Sequence, residues 1–277
     1  MNTDAVCNVC PHHCRLQEGA YGICHARKNV DGRIISDNYG LLTSIMLDPI
    51  EKKPLSFFHP GSFILSVGSY GCNLSCPFCQ NYEIATATKE DMDRLYEVSP
   101  KNLCDIALKA CPDGNIGVAY TYNEALISYE YVRDCAKLIH EAGMLNVLVT
   151  NGTATVEVLE ELLPYIDAMN IDLKCFDATT YKMLGGDFET VKSFIIRAVK
   201  NCHVELTTLI VPALNDSLDK MEEESEWIAD IDPDIPLHIT RYFPRYKMHE
   251  MPTDITLLYK LKNIAEAHLN RVLLGNI

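Results

Sequence analysis

The chain has no run approaching ~20 uninterrupted apolar residues, so no membrane-spanning helix is expected. Basic residues are scarce: 24 Lys and Arg stand against 38 Asp and Glu, a formal net charge of −14. A broad phosphate-binding surface needs clustered Lys and Arg, so nucleic acid is not an expected partner. Acidity is also a common route to solubility, so the charge names no partner by itself. No internal repeat or low-complexity tract appears. The opening Met-Asn-Thr-Asp-Ala-Val-Cys lacks the basic and apolar regions of an export signal, and a cytoplasmic setting is expected.

What is plentiful is cysteine, 12 residues in 277. In a reducing cytosol these point to metal ligation and not to a disulfide framework. Seven fall into two clusters. The other five, Cys104, Cys111, Cys135, Cys175 and Cys202, are scattered and read as small buried hydrophobes.

Cys72, Cys76 and Cys79 form a C-x3-C-x2-C run within ten residues. Thiolates suit zinc and iron–sulfur clusters. Three thiolates on a four-iron cubane leave one iron open, and an open position separates catalytic from closed structural sites. A structural zinc knot would need a fourth ligand, and no further Cys or His lies between His59 and Cys104. Residues 62–67 read as a buried strand, after which Gly68, Gly71 and Asn73 turn the chain. The run is thus placed at the carboxyl edge of a sheet, where α/β folds bind their ligands.

Cys7, Cys10, Cys14 and Cys24 supply four more thiolates, enough for a tetrahedral zinc or a second iron–sulfur cluster. Pro11 and Gly22 favour a tight ligand loop, and His12, His13 or His25 could replace one sulfur. Residues 1–60 are rich in Cys, His, Gly and Asn, and too short to bury a core alone. They are expected to form a metal-stapled appendage to a unit spanning 61–277.

From residue 61 onward, strand-like and helix-like segments alternate. Ser99-Pro100 should cap a helix over 102–110, followed by a strand over 116–120. Helical spacing runs from 124 to 142 and stops at Gly143. A strand over 145–149, a helix capped by Thr155 and reaching 163, and a strand over 168–173 come next. A helix around Val191, Ile195 and Ala198 precedes a strand over 203–211, and a helix over 218–229 leads to a strand over 236–240. A last helix through Leu257, Leu261 and Ile264 precedes residues 271–274. Regular β–α alternation predicts parallel strands with right-handed crossovers, in a barrel or an open sheet.

The Cys72–Cys79 run, with Phe78 just before its last cysteine, resembles the signature of the radical S-adenosylmethionine (SAM) superfamily. The chain is similar to the pyruvate formate-lyase activating enzyme-like group, and within it to the radical SAM enzyme of the AmmeMemoRadiSam system. The matching segments are Cys7-Asn-Val-Cys-Pro-His-His-Cys14, Tyr21-Gly-Ile-Cys-His-Ala-Arg27, Asp48-Pro-Ile-Glu-Lys-Lys-Pro54, His59-Pro-Gly61, Tyr120-Thr-Tyr-Asn-Glu124 and Tyr242-Phe-Pro-Arg-Tyr-Lys-Met248. The resemblance implies an α/β fold, a partial (β/α)6 TIM-like barrel with an N-terminal cysteine-rich appendage. It implies a 4Fe–4S cluster on Cys72, Cys76 and Cys79, with SAM as cofactor.

The same resemblance suggests the SAM contacts. Asn123 and Glu124 occupy the place of a Gly-Gly-Glu-like turn that holds the SAM amino group, although both glycines are replaced here. Thr150 and Asn151 follow the third strand, Asp172 and Lys174 the fourth. His238 and Arg241 lie on the sixth, and Phe78 is expected against the cluster and the adenine. No general base is expected, because the cofactor carries the chemistry and the protein positions it.

The implied activity is reductive cleavage of SAM to a 5′-deoxyadenosyl radical that abstracts hydrogen, as in glycyl-radical activating enzymes. An electron donor such as flavodoxin or ferredoxin and a partner-protein substrate go with it, under anaerobic conditions. Radical modification of a peptide, lipid or small molecule is the enzymatic alternative. A non-catalytic zinc or iron–sulfur binding protein is the alternative of another class.

Overall fold

The computed structural model describes residues 4–277. Its main sheet has eight strands. Seven run parallel in chain order: Phe63–Gly68, Asn115–Tyr120, Leu145–Thr150, Ala168–Asp172, His203–Ile210, Leu237–Arg241 and Val272–Gly275. The eighth, Ser44–Pro49, lies antiparallel on the outer edge of Phe63–Gly68. The sheet keeps two edges, and this is the partial barrel that the alternation and the resemblance anticipated. It carries one parallel strand beyond six, Val272–Gly275, and a further edge strand drawn from the leading 60 residues.

Period-two alternation divides the strands between two cores. Val67, Val118, Leu148, Met169, Leu206 and Ile239 pack with helix residues such as Leu103, Ile139, Ile195 and Leu261. Ile64, Ala119, Val147 and Ala168 form a second cluster with Ile50 and Leu55. Segment 50–57 therefore stoppers the amino-terminal end of the barrel. Asn170 Nδ2 donates to the Pro54 carbonyl at 3.0 Å. The Ser56 and Phe57 amides donate to the Glu205 carboxylate at 3.0 and 2.7 Å.

Strong local capping signals set the helix ends. Ser99 Oγ accepts from the Asn102 amide at 3.2 Å, with Pro100 opening the helix Pro100–Lys109. The segment from Glu124 begins as a 3-10 turn, Ala125–Ser128, before the helix Tyr129–Glu141. Thr155 stands at the start of Val156–Leu162 but gives no side-chain cap. Its hydroxyl donates instead to the Asn8 carbonyl at 3.0 Å, and its amide to Val9, docking the leading segment on the barrel. A short helix, Ala178–Met183, escaped the sequence reading; Asp177 caps it through the Thr180 amide. Among the five scattered cysteines, Cys104, Cys135 and Cys175 are buried and Cys202 is partly so, whereas Cys111 is exposed. Among the described residues, no helix is long and apolar enough to cross a membrane.

Candidate active site

The three closely spaced cysteines sit in the loop that leaves Phe63–Gly68 at its carboxyl end. The loop is pinned before the first of them. The Ser69 amide donates to Asn123 Oδ1 at 2.9 Å, and Asn123 Nδ2 donates to the Tyr70 and Gly71 carbonyls at 3.2 and 3.1 Å. Asn38 adds a bond to the Tyr70 carbonyl at 3.1 Å. Asn123 thus has its amide engaged by the loop backbone, a loop-holding role in place of the cofactor contact expected for it. Gly71 has a φ of +85°, and a Cβ there would lie 2.3 Å from the Cys24 carbonyl oxygen. Only glycine allows that approach without displacement.

Cys72, Cys76 and Cys79 line a single cavity of about 280 Å³ with Leu74, Tyr246 and Lys247. Burial pushes all three thiols up, that of Cys76 to about 11, with the Lys174 charge pulling Cys76 and Cys79 back. Apolar walls with three convergent sulfurs disfavour bare thiolates and suit a cation that neutralises them. Cys72 Sγ also receives the Leu74 amide at 3.4 Å and Asn151 Nδ2 at 3.8 Å. The donor set and the space fit an iron–sulfur cluster.

Glu124, Thr150 and Asn151 are brought together. The buried Glu124 carboxylate accepts from Thr150 Oγ1 at 2.7 Å, the Asn151 amide at 2.8 Å and the Leu126 amide at 3.0 Å. It ties the ends of the second and third parallel strands. Asn151 reaches on to Asn73 Oδ1 at 2.9 Å. Lys174 Nζ pairs with Asp172 Oδ2 at 2.7 Å. Burial works against the Lys174 charge, yet the Asp172 carboxylate holds its pKa above the usual lysine value.

Phe78 is buried with Leu184, Val211 and Tyr242. Tyr242 Oη is buried without a hydrogen-bond partner. An orphaned hydroxyl beside an aromatic wall is unusual in a finished core and suits a ligand with an acceptor. Tyr242 opens the matching segment 242–248, and its sequence context alone assigns it no role. Arg241 lies at the carboxyl end of its strand, with Nε donating to the Thr253 carbonyl at 2.8 Å and its guanidinium over the Phe243 ring. Segment 242–248 crosses above the cysteines: the Lys247 amide donates to the Pro77 carbonyl at 2.9 Å, and Tyr246 stacks on Tyr82 at 4.6 Å.

His238 is the residue the structure moves away from this site. It stands second in its strand, near the amino-terminal end, with Nε2 2.6 Å from Glu205 Oε2. Burial pushes Glu205 up, but His203, His238 and the Ser56 and Phe57 amides carry its pKa down to about 2. His238 is part of the barrel's stopper, not of a cofactor pocket.

Two of the leading cysteines face each other. A Cβ on Gly22 would meet Cys14 Sγ and Cys24 Sγ, both at 3.7 Å, so the two sulfurs face one small space. Cys10 and Cys24 are each within electrostatic reach of Cys7. His12 Nε2 donates to the Asn73 carbonyl at 2.9 Å, which engages that nitrogen away from the sulfurs.

Residues 66–228 match the Radical SAM superfamily. The uncharacterized protein MJ0808 of Methanocaldococcus jannaschii is 36% identical over 276 residues, covering 98% of this chain and 81% of that protein. The pyruvate formate-lyase-activating enzyme of Clostridium pasteurianum is 27% identical over 166 residues, 58% of this chain and 67% of that enzyme. Among solved structures, Streptococcus suis SuiB bound to S-adenosylmethionine has a TM-score of 0.58 at 16% identity, covering 77% of this chain and 52% of that one. On the match that spans most of its barrel, the chain belongs to the radical SAM superfamily, enzymes that use a 4Fe–4S cluster and S-adenosylmethionine to make an organic radical.

Proposed function

We propose that Cys72, Cys76 and Cys79 hold the 4Fe–4S cluster and that the carboxyl edge of the barrel binds SAM beside it. The cavity shared by the three sulfurs carries this reading. When bound, the cluster supplies the electron that cleaves SAM to methionine and a 5′-deoxyadenosyl radical, which abstracts hydrogen. The chain's own residues bind, orient and exclude water. The Asp172–Lys174 pair offers opposite charges to the amino acid portion of SAM. Thr150 and Asn151 frame that side, fixed by Glu124. Phe78 and the unpartnered Tyr242 hydroxyl offer a wall and a donor for the adenine, and Arg241 borders it.

The radical's target in this reading is a peptide segment of a partner protein, as for a glycyl-radical activating enzyme. Supporting it, the cysteine cavity adjoins a second, wider cavity of about 400 Å³ lined by Tyr82, Pro244, Arg245, Tyr246 and His249. Tyr246 belongs to both, so an extended chain laid across it would reach the cofactor edge. A flavodoxin- or ferredoxin-like donor would supply the electron. The leading segment, 1–60, would be the appendage to a barrel over 61–277, with Cys7, Cys10, Cys14 and Cys24 holding a second metal group.

Anaerobic reconstitution followed by dithionite and SAM should give 5′-deoxyadenosine and methionine. With a deuterated partner protein, deuterium should appear in the deoxyadenosine. An intact cluster with no SAM cleavage would refute the activity. Cleavage with label transferred only from small molecules would refute the peptide target.

A further inference from the structure

We propose that Cys7, Cys10, Cys14 and Cys24 hold a second 4Fe–4S cluster, capped by four thiolates, as a one-electron centre beside the Cys72 loop. The inference rests on the second metal group proposed above and specifies its chemistry and its purpose.

The leading sulfurs are spread more widely than a zinc tetrahedron holds them. Tetrahedral zinc with Zn–S bonds of ~2.3 Å holds its four sulfurs roughly 4 Å apart. Among the described residues, only Glu222, Glu226 and His268 bring three potential ligand atoms within 4.8 Å of one another. No three of the leading cysteine sulfurs do so, although Gly22 leaves Cys14 and Cys24 facing one space. Cys72, Cys76 and Cys79 behave in the same way, although they line one cavity. A cubane, whose irons stand between the thiolates and a common centre, needs that wider spread.

Polar groups surround the site. The His12 backbone lies beside Cys10, and the Ala26 and Arg27 backbone lies beside Cys24. Arg27 itself is buried, its charge acts on Cys7, and its Nε has no partner even though another nitrogen pairs with Glu130 at 2.6 Å. Donors beside the thiolates suit zinc and a cubane alike, whereas the unpartnered Arg27 Nε is a donor left over. A cubane adds inorganic sulfides, and hydrogen bonds and nearby charge set its potential.

Position gives the purpose. Asn73, the residue after Cys72, bonds His12 through its carbonyl, and its side chain lies beside Cys10. Gly71, the residue before Cys72, packs on the Cys24 carbonyl. The two cysteine sets are separated by single residues in contact with both. The second cluster would accept one electron from a flavodoxin- or ferredoxin-class donor, passing from the 2+ to the 1+ state. It would return to 2+ on giving that electron up at the Cys72 loop, with no bond made and no proton moved.

Iron, zinc and electron paramagnetic resonance (EPR) spectra of anaerobically prepared protein test this. The Cys72→Ala/Cys76→Ala/Cys79→Ala variant should keep about four irons per chain and no zinc. Its reduced signal should not change on adding SAM, because every iron is capped. Wild type should carry about eight irons, and its doubly reduced spectrum should show spin–spin broadening that the triple variant lacks. One zinc with only about four irons in wild type would overturn the proposal even if no variant folds. Two clusters without broadening would overturn the electron role. If the triple variant keeps its iron but wild type shows no SAM-dependent change, the SAM reading fails and this one stands.

Discussion

Asn151 donates its side-chain amide to Asn73 Oδ1 at 2.9 Å, joining the end of the third parallel strand to the cysteine loop. Asn73 Nδ2 continues to the Thr153 carbonyl at 2.6 Å. A loop that must present three sulfurs to one space is held by the barrel wall and not by its own turns. Asn151→Ala removes the bond to Asn73 and the contact to Cys72 Sγ, and leaves Asn73 Oδ1 without its donor. It should cost about 1–3 kcal/mol locally. The expected outcome is a protein that folds but loses iron on gel filtration, read as iron per chain against wild type.

Gly71 should tolerate nothing larger. Gly71→Ala places a methyl on the Cys24 carbonyl and strains a left-handed residue, a cost of at least about 2 kcal/mol. Both cysteine sites should suffer together, so iron should fall by more than the share of either site. An alanine variant with full metal content would show that the approach is not tight.

His238→Ala separates the stopper from the cofactor site. Removing His238 takes away one hydrogen-bond partner of the buried Glu205 carboxylate, a loss of about 1–3 kcal/mol, so the melting temperature should drop. SAM affinity of the folded protein should stay within about twofold. A large loss of affinity with unchanged stability would return His238 to the cofactor. Glu205, held down at about 2, contributes stability present above its ordinary value of 4.5 and lost as pH falls toward 2.

Glu224 works in the opposite direction. Burial behind the strand His203–Ile210 raises it to about 8, with the Thr208 hydroxyl as its partner. A raised carboxyl contributes stability fully present below 4.5 and lost as pH rises through about 8. Glu224→Gln keeps an acceptor for Thr208 and removes the titration. Its melting temperature should therefore exceed that of wild type increasingly as pH rises through this window, as thermal melts would show.

Lys174→Met should leave iron content intact and weaken SAM binding about tenfold, the value of one charge-assisted contact. Equilibrium binding to the reconstituted protein, with no turnover, reads this directly. Unchanged affinity would confine the Asp172–Lys174 pair to a structural role.

Periodicity revealed the barrel because each strand packs a period-two face under a helix of 3.6 period, and both repeats are written locally. The cysteine loop was equally legible, since its ligands are neighbours in the chain. His238 shows where this stops. Alternation gives the face a strand residue points to, but not its height in the barrel, and height decides between stopper and cofactor. Glu205 was missed because its amide donors, Ser56 and Phe57, lie almost 150 residues away. Tyr242 carried a readable aromatic character, whereas its missing partner is visible only in three dimensions.

The contact between segment 50–57 and Glu205 has a consequence for how the chain folds. The leading residues are made first, yet their anchoring carboxylate arrives only after four of the seven parallel strands have been made. Closing so long a loop is slow, and topology of this kind favours late, all-or-none assembly. Segment 50–57 would wait for its anchor until the fifth parallel strand has been synthesised.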